Sequence, residues 1–381
     1  MRLGIDATPL LGARTGIGTY VDHLIHGLAA GGSLGEQGGT SGPGHDLAIT
    51  ATAFSSAGSH ALSAHLPDSV RARGSRAPAR LLQQSWSRTG HPKVETLCGD
   101  QDVFHATNFV LPPLRHAAGV LTVHDLSYLR FPHTVTAKTL RYRDLVPDGI
   151  RRAAIVTTLS QSVADEIVAE YRIDEARVIV ASPGVDASWF DVSPLTRQDR
   201  TELDLPSEYF LAVGTLEPRK NLSTLIAAYR RLRDERADVP PLVLVGPTGW
   251  GPALQLDTFA PGAVRLTGYL ATPLLQRVVA AARCLAFPSL YEGFGLPPVE
   301  ALAAGTAVVA SDLAVTREVL GEAADLVAPN DVEGWAAALS RAASADGGDP
   351  AVRAARVARA RRWTWQSCVA SSRKAYELAL S

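Results

Sequence analysis

Glu292 and Glu300 stand eight residues apart in SLYEGFGLPPVEALAAG, residues 289–305, with glycines and prolines between them. Pro297 and Pro298 lack backbone N–H groups and hold φ near the helical value, which suits them to the first turn of a helix. The spacing therefore predicts a helix with Glu300 in its opening turn, ending at Gly305 in a left-handed cap. Glu292 precedes that helix, in the loop leaving a strand that reads CLAFPSL. Gly293 and Gly295 allow close approach of backbone to a ligand, and a helix start offers unpaired N–H groups at a positive dipole end. The loop Gly293, Phe294, Gly295 and Leu296 thus suits an anion and is read as ligand-binding. A phosphate needs no carboxylate, so the glutamates fit another part of the same ligand, and sugar hydroxyls match. The plainer alternative is that Glu300 complements the helix dipole and Glu292 is a solvated loop charge.

A second constellation is GTLEPRKN, residues 214–221, which leaves a strand and enters a helix that Asn221 is expected to cap. Arg219 and Lys220 then stand at a helix N-terminus, where cations are disfavoured unless an anion sits there too. A diphosphate would supply it, with Arg forking two oxygens and Lys acting as a point charge; ordinary surface charge is the alternative. Gly16 and Gly18 in ARTGIGTY lie at the first strand-to-helix turn, and their spacing is not the dinucleotide GxGxxG. Close backbone approach to a substrate remains open for them. The strand GVLTVHDL ends at His124, a candidate catalytic imidazole, and His105 in VFHATNF is similarly placed; either could be structural. There is no HxH, HExxH, G-x-S-x-G or Walker pattern, so no metal and no cofactor is expected.

These residues need scaffolds to hold them. Short apolar runs alternate with segments of helical period, which predicts parallel sheets covered by helices. RLGIDA, DLAITATAF, DVFHAT, GVLTVHDL, AAIVTTLS and RVIVASPGV read as strands of a first domain, 1–190. Residues 29–44, rich in glycine, read as a mobile loop, and Ser160 or Ser162 as the cap of SVADEIVAEY. The alternation lapses between Asp186 and Pro206. It resumes with YFLAVGTL, PLVLVG, VRLTGYL, CLAFPSL, AVVAS and ADLVAP, a second domain spanning 207–360. In doubly wound sheets ligands bind beyond the carboxyl ends of the strands, so a site in a cleft between the domains is expected. At 381 residues two domains are the natural size, and 37 basic against 38 acidic residues argue against a nucleic-acid partner. The three cysteines are far apart in sequence, and no run reads as a signal peptide or membrane span; a cytoplasmic protein is expected. Residues 71–93 carry Arg71, Arg73, Arg76, Arg80, Arg88 and Lys93 with no acid, interleaved with Leu81, Leu82 and Trp86. They read as a solvated helix or loop, or as a peripheral contact with anionic lipid at the inner face of the cell membrane.

With VGTLEPRKNL, LTVHDL, TGIGTY and LYEGFGLPPVEALAAG together, the chain resembles the retaining GT-B glycosyltransferases of family four, which include bacterial mannosyltransferases. The resemblance extends over nearly the whole chain and implies an α/β fold of two doubly wound Rossmann-like domains, with residues 361–381 forming a C-terminal helix that returns to the first domain. It matches Glu292 and Glu300 to the family's Glu-x7-Glu signature, the first on the donor sugar's hydroxyls and the second on the nucleotide ribose. It places Arg219 and Lys220 at the diphosphate, Gly16 and Gly18 near the phosphates, and His124 near the reacting carbon. Thr215 stands where some members carry an arginine. The implied reaction is metal-independent transfer of a sugar, mannose favoured, from a nucleotide diphosphate sugar such as GDP-mannose to a glycan or lipid-linked acceptor. A nucleotide-sugar hydrolase or epimerase, or a non-catalytic nucleotide-sugar-binding partner, would use the same scaffold.

Overall fold

The computed structural model describes residues 1–12, 15–31, 47–55, 58–75, 77–344 and 349–381. The chain forms two compact units: one of Met1–Leu126, Lys138–Gly184 and Trp365–Ser381, the other of Ser127–Ala137 and Val185–Thr364. The stretch 191–206, which has no strand or helix period, belongs to the second unit and contains a short helix, Arg197–Glu202, opened by a Thr196–Asp199 capping box. Residues 127–137 also join the second unit, an excursion with no local sequence signal.

In the first unit seven parallel strands are β1 (Arg2–Asp6), β2 (Ala48–Phe54), β3 (Arg71–Ser75), β4 (Val103–Ala106), β5 (Ala118–Thr122), β6 (Ile155–Thr158) and β7 (Val178–Val180), in the order β3-β2-β1-β4-β5-β6-β7. The central strands are apolar on both faces because helices cover both, as the near-continuous burial of β1, β2, β4 and β6 requires. β3 departs from expectation. RARGS has no apolar run, yet it pairs with β2 from Thr50↔Arg71 to Phe54↔Ser75. It is an edge strand, where arginines reach water and discourage further pairing. After it the helix Ala79–Thr89 buries Leu82 and leaves Leu81 exposed. Arg76 and residues 32–46, most of the glycine-rich loop, lie outside the described residues; the preceding helix, Gly16–Ala30, itself runs on through Ala30.

That helix starts at Thr15, whose Oγ1 accepts from Gly18 N at 3.4 Å, and buries Tyr20, Val21, Leu24, Ile25 and Leu28 on one face. The final helix, Trp365–Leu380, belongs to the same unit. It packs so closely that a Cβ on Gly27 would fall 2.5 Å from Val369 Cγ2. Ser160 is the cap of Gln161–Tyr171, accepting from Val163 N at 3.3 Å.

The second unit holds β8 (Phe210–Val213), β9 (Leu242–Val245), β10 (Val264–Gly268), β11 (Cys284–Phe287), β12 (Ala307–Ser311) and β13 (Asp325–Val327), all parallel, in the order β10-β9-β8-β11-β12-β13. In each sheet the strand order reverses once, between β1 and β4 and between β8 and β11. Those reversals are where the loops beyond the carboxyl ends diverge and leave room for a ligand.

Glycine sets how closely the loops of the second unit stack. Gly246 has φ +145°, and a Cβ there would fall 2.0 Å from the carbonyl oxygen of Gly214, in the turn leaving β8. The clash is with backbone, so it is not relieved by a rotamer change. Gly246→Ala should therefore cost at least about 2 kcal/mol, combining strain at a rare φ with overpacking. Urea unfolding of the variant tests this; a loss under about 0.5 kcal/mol, within the range of ordinary surface substitutions, would show that the loops separate freely.

Candidate active site

At the β8/β11 reversal two loops are stitched together. Pro218–Lys220 forms one 3-10 turn after β8, and Leu290 N donates to Arg219 O at 2.9 Å while Arg219 Nη1 donates to Tyr291 O at 2.8 Å. The stitching brings together three residues singled out from sequence. Lys220 Nζ lies 2.6 Å from Glu292 Oε1, and Arg219 Nη1 lies 3.0 Å from Glu292 Oε2. Glu217, not anticipated, takes Arg219 Nη2 at 2.8 Å. Lys220 also lies over the Phe287 ring, 4.9 Å from its centroid. Burial alone would push the Glu292 carboxyl up, but Arg219 and Lys220 hold it down at about 2. Glu292 is therefore a fixed, buried anion and not a solvated loop charge. The anion expected beside the two cations is supplied, in part, by the chain itself.

Asn221 sits at the helix start as expected, but in the left-handed region, φ 51°, and its side chain caps no helical N–H. It donates instead to Pro329 O at 2.8 Å and accepts from Thr224 Oγ1 at 2.9 Å, tying the loop to the chain beyond β13.

Gly295 takes φ 91° and starts the next helix, Leu296–Ala303, one residue before the prolines. Glu300 is consequently its fifth residue, in the second turn and not the opening one. Burial in the first place, and the nearby charge of Asp186 in the second, push the Glu300 carboxyl up to about 7. A carboxylate serving the helix dipole would be pushed the other way, so the dipole reading fails. Phe294 is 3% exposed, with its ring edge-on to Trp363 at 5.1 Å. Its side chain is packed into the unit and anchors the loop.

His124 ends β5's extension in the first unit, 4% exposed. Its Nε2 lies 2.7 Å from the Thr107 carbonyl, which can only accept, so Nε2 carries the proton and Nδ1 a lone pair. Nδ1 is buried with no hydrogen-bond partner among the described residues. Burial holds the ring's pKa at about 4, so it is neutral at physiological pH. Phe109, at φ 62° in the left-handed region, stands edge-on to it at 5.4 Å and stacks on Tyr142 at 4.6 Å. A non-glycine residue there stores strain, a feature common at functional sites. His105 has both nitrogens engaged, by Tyr376 OH at 2.8 Å and Thr122 Oγ1 at 2.7 Å, and fastens the last helix to the sheet. Its role is structural. Gly16 is exposed, and a Cβ there would meet nothing within 4 Å, so the fold does not demand glycine at that position; Gly18 is buried in the same first turn. Among the described residues no group of three or more His, Cys, Asp or Glu could hold a metal ion. Of the residues that sequence missed, Glu217 was visible inside TLEPRKN as an acid two places before Arg219, whereas Asp186 reaches Glu300 across 114 residues and had no local signal.

Two doubly wound units of parallel strands are the architecture of the GT-B fold class. The chain accordingly superposes on sucrose-phosphate synthase from Thermosynechococcus elongatus with a TM-score of 0.70, covering 99% of this chain and 98% of that one at 18% identity. Residues 207–345 match the family model described as Glycosyl transferases group 1, and residues 38–189 that of Glycosyltransferase Family 4. The O-antigen chain mannosyltransferase B of Escherichia coli is 30% identical over 284 residues, 72% of this chain and 74% of that protein. The phosphatidyl-myo-inositol mannosyltransferase of Mycolicibacterium smegmatis is 30% identical over 88% of this chain and 86% of its own length. The chain belongs to this glycosyltransferase family.

The raised pKa of Glu300 has a consequence for stability. Between the ordinary value of 4.5 and about 7 the folded chain holds a proton that the unfolded chain has released, so stability falls as pH rises through that window. Glu300→Gln removes the buried charge. Its melting temperature should exceed the parent's at pH 8 and match it near pH 5. Equal melting temperatures at both pH values would show that Glu300 is well solvated.

Proposed function

We propose that this glycosyltransferase is retaining and metal-independent, and that it moves mannose from a nucleoside diphosphate mannose, GDP-mannose being the favoured donor, to a hydroxyl of a glycan or lipid-linked acceptor. The observation that carries the reading is the buried meeting of Arg219, Lys220 and Glu292 beyond the carboxyl ends of β8 and β11. Two fixed cations beside a glycine-rich turn suit a diphosphate and stabilise the charge that develops as it leaves. Arg219 offers a fork and Lys220 a point charge, so no divalent ion is required for that charge. Glu292 orients the sugar, Glu300 holds the ribose hydroxyls, and Gly16 and Gly18 let backbone approach the phosphates. His124 supports the reacting centre as a neutral imidazole, offering the Nδ1 lone pair to a sugar hydroxyl. The acceptor attacks from the face the diphosphate leaves, which keeps the α configuration. Mannose is supported by the names of the relatives, which are mannosyltransferases.

Two measurements test the reading. Incubation with GDP-mannose and an acceptor glycan in excess EDTA should give an α-linked product by NMR. Loss of transfer with rescue by Mg²⁺ or Mn²⁺ would overturn metal independence, a β-linked product would overturn retention, and consumption of donor without acceptor would favour a hydrolase.

No helix among the described residues is long and apolar enough to cross a membrane. Peripheral contact with anionic lipid at the cytoplasmic face is proposed through Arg71, Arg73, Arg80, Arg88 and Lys93. Of the three interleaved apolar residues only Leu81, 58% exposed, is free at the surface; Leu82 is buried, and Trp86 packs on Phe54 with its Nε1 bonded to Pro92 O. Such a contact is electrostatic, worth up to about 1 kcal/mol per basic residue, and falls with salt. Sedimentation with phosphatidylserine vesicles at low salt should exceed that with neutral vesicles, and equal sedimentation would remove the proposal.

A further inference from the structure

Arg219 and Lys220 do not form a simple cationic patch. Glu292 engages both of them, Oε1 to Lys220 at 2.6 Å and Oε2 to Arg219 at 3.0 Å, and Glu217 holds the other arm of Arg219 at 2.8 Å. The cationic side chains are 15–17% exposed and the carboxylates 9%, so water and salt screen the four charges weakly. Two positive and two negative groups sum to zero. A diphosphate arriving here meets a neutral cluster, and it can take hydrogen bonds from Lys220 and Arg219 only at the expense of bonds that Glu292 now accepts. A buried carboxylate deprived of its partners is strongly penalised. A sugar attached to the diphosphate offsets that penalty, because its hydroxyls can donate to the displaced carboxylate. A bare nucleoside diphosphate lacks those hydroxyls, since its ribose hydroxyls are the ones assigned to Glu300, and its terminal phosphate brings like charge to Glu292.

This inference rests on the nucleotide-sugar reading above. From the geometry we infer that Glu292 is a specificity-determining residue: by competing with the diphosphate for Arg219 and Lys220 it selects the sugar-bearing donor over the nucleoside diphosphate that remains after transfer. Transfer removes the sugar, Glu292 regains its two cations, and the product is expelled. Glu217 pairs with Arg219 alone and keeps it in place throughout, so it weakens both ligands alike.

The test is calorimetric titration of GDP and of GDP-mannose into the full chain, parent and variants. Glu292→Gln should bind GDP at least about tenfold more tightly, with GDP-mannose tightened much less or weakened, so that the ratio of the two dissociation constants shifts about tenfold towards product. GDP inhibition of transfer should rise in step. Glu217→Gln should tighten both ligands equally and leave the ratio unchanged. Unchanged or weaker GDP binding by a folded Glu292→Gln variant overturns the inference. So does an equal shift in both ligands, or a ratio change in Glu217→Gln as large as in Glu292→Gln, either of which reduces the effect to general charge. Should Glu292→Gln fold poorly, Glu292→Asp, too short to span both cations, reads the same ratio. Failure of the parent chain to bind any of GDP, UDP, GDP-mannose or UDP-glucose would instead sink the donor reading, and the inference with it.

Discussion

A buried carboxylate bridging two cations governs the layout of the second unit. Glu292 can stay ionised away from water only because Arg219 and Lys220 reach it, and they can do so only if the loop after β8 lies against the loop after β11. The strand order brings those loops side by side, since β8 and β11 are hydrogen-bonded neighbours although 73 residues separate their last members. Backbone hydrogen bonds at Leu290 and Tyr291 then fix the spacing to within a side chain's reach. Topology supplies proximity, backbone pairing supplies register, and the ion cluster uses both.

Burial disfavours charge at three titratable groups, one in the first unit and two in the second, and their neighbours decide the outcome. Glu292, with cations beside it, remains charged; Glu300, with only Asp186 nearby, is held close to neutrality; His124, with no counter-charge strong enough, is held neutral. These are different tools. A permanent anion can accept hydrogen bonds from hydroxyls at any physiological pH. A carboxyl near its midpoint can donate or accept. A neutral imidazole with one nitrogen tied to a carbonyl presents a lone pair and no positive charge, so it can accept from a hydroxyl.

Much of this was legible in the sequence, and the limits have physical reasons. Strands buried on both faces announce themselves as apolar runs, so PLVLVG and CLAFPSL could be located from composition alone. RARGS could not, because an edge strand is specified by pairing to its neighbour and its own residues face water. Glu292, Arg219 and Lys220 were recognisable because their loops carry glycine and proline at positions that local backbone geometry explains. Their mutual pairing was not, since ion-pair geometry depends on which strands are adjacent. Glu300 was displaced from its expected turn by a single conformational choice, the left-handed Gly295, which begins the helix before the prolines.

Close backbone stacking explains why the second unit tolerates so charged a centre. Gly214 and Gly246 both take φ +145°, and the carbonyl of one occupies the space a side chain on the other would need. Such contact holds the turn leaving β8 in place, and the absence of a side chain on Gly214 leaves room for the Lys220 stem, whose Cε lies 3.3 Å from where a Cβ would be. The Phe287 ring lies against the Lys220 ammonium. A lysine so restrained has already lost most of its rotamer entropy on folding, and exchanging one anion for another at its Nζ then costs little further ordering. Preorganisation of this kind favours a site in which carboxylate and diphosphate alternate over one in which flexible cations must be gathered at each turnover.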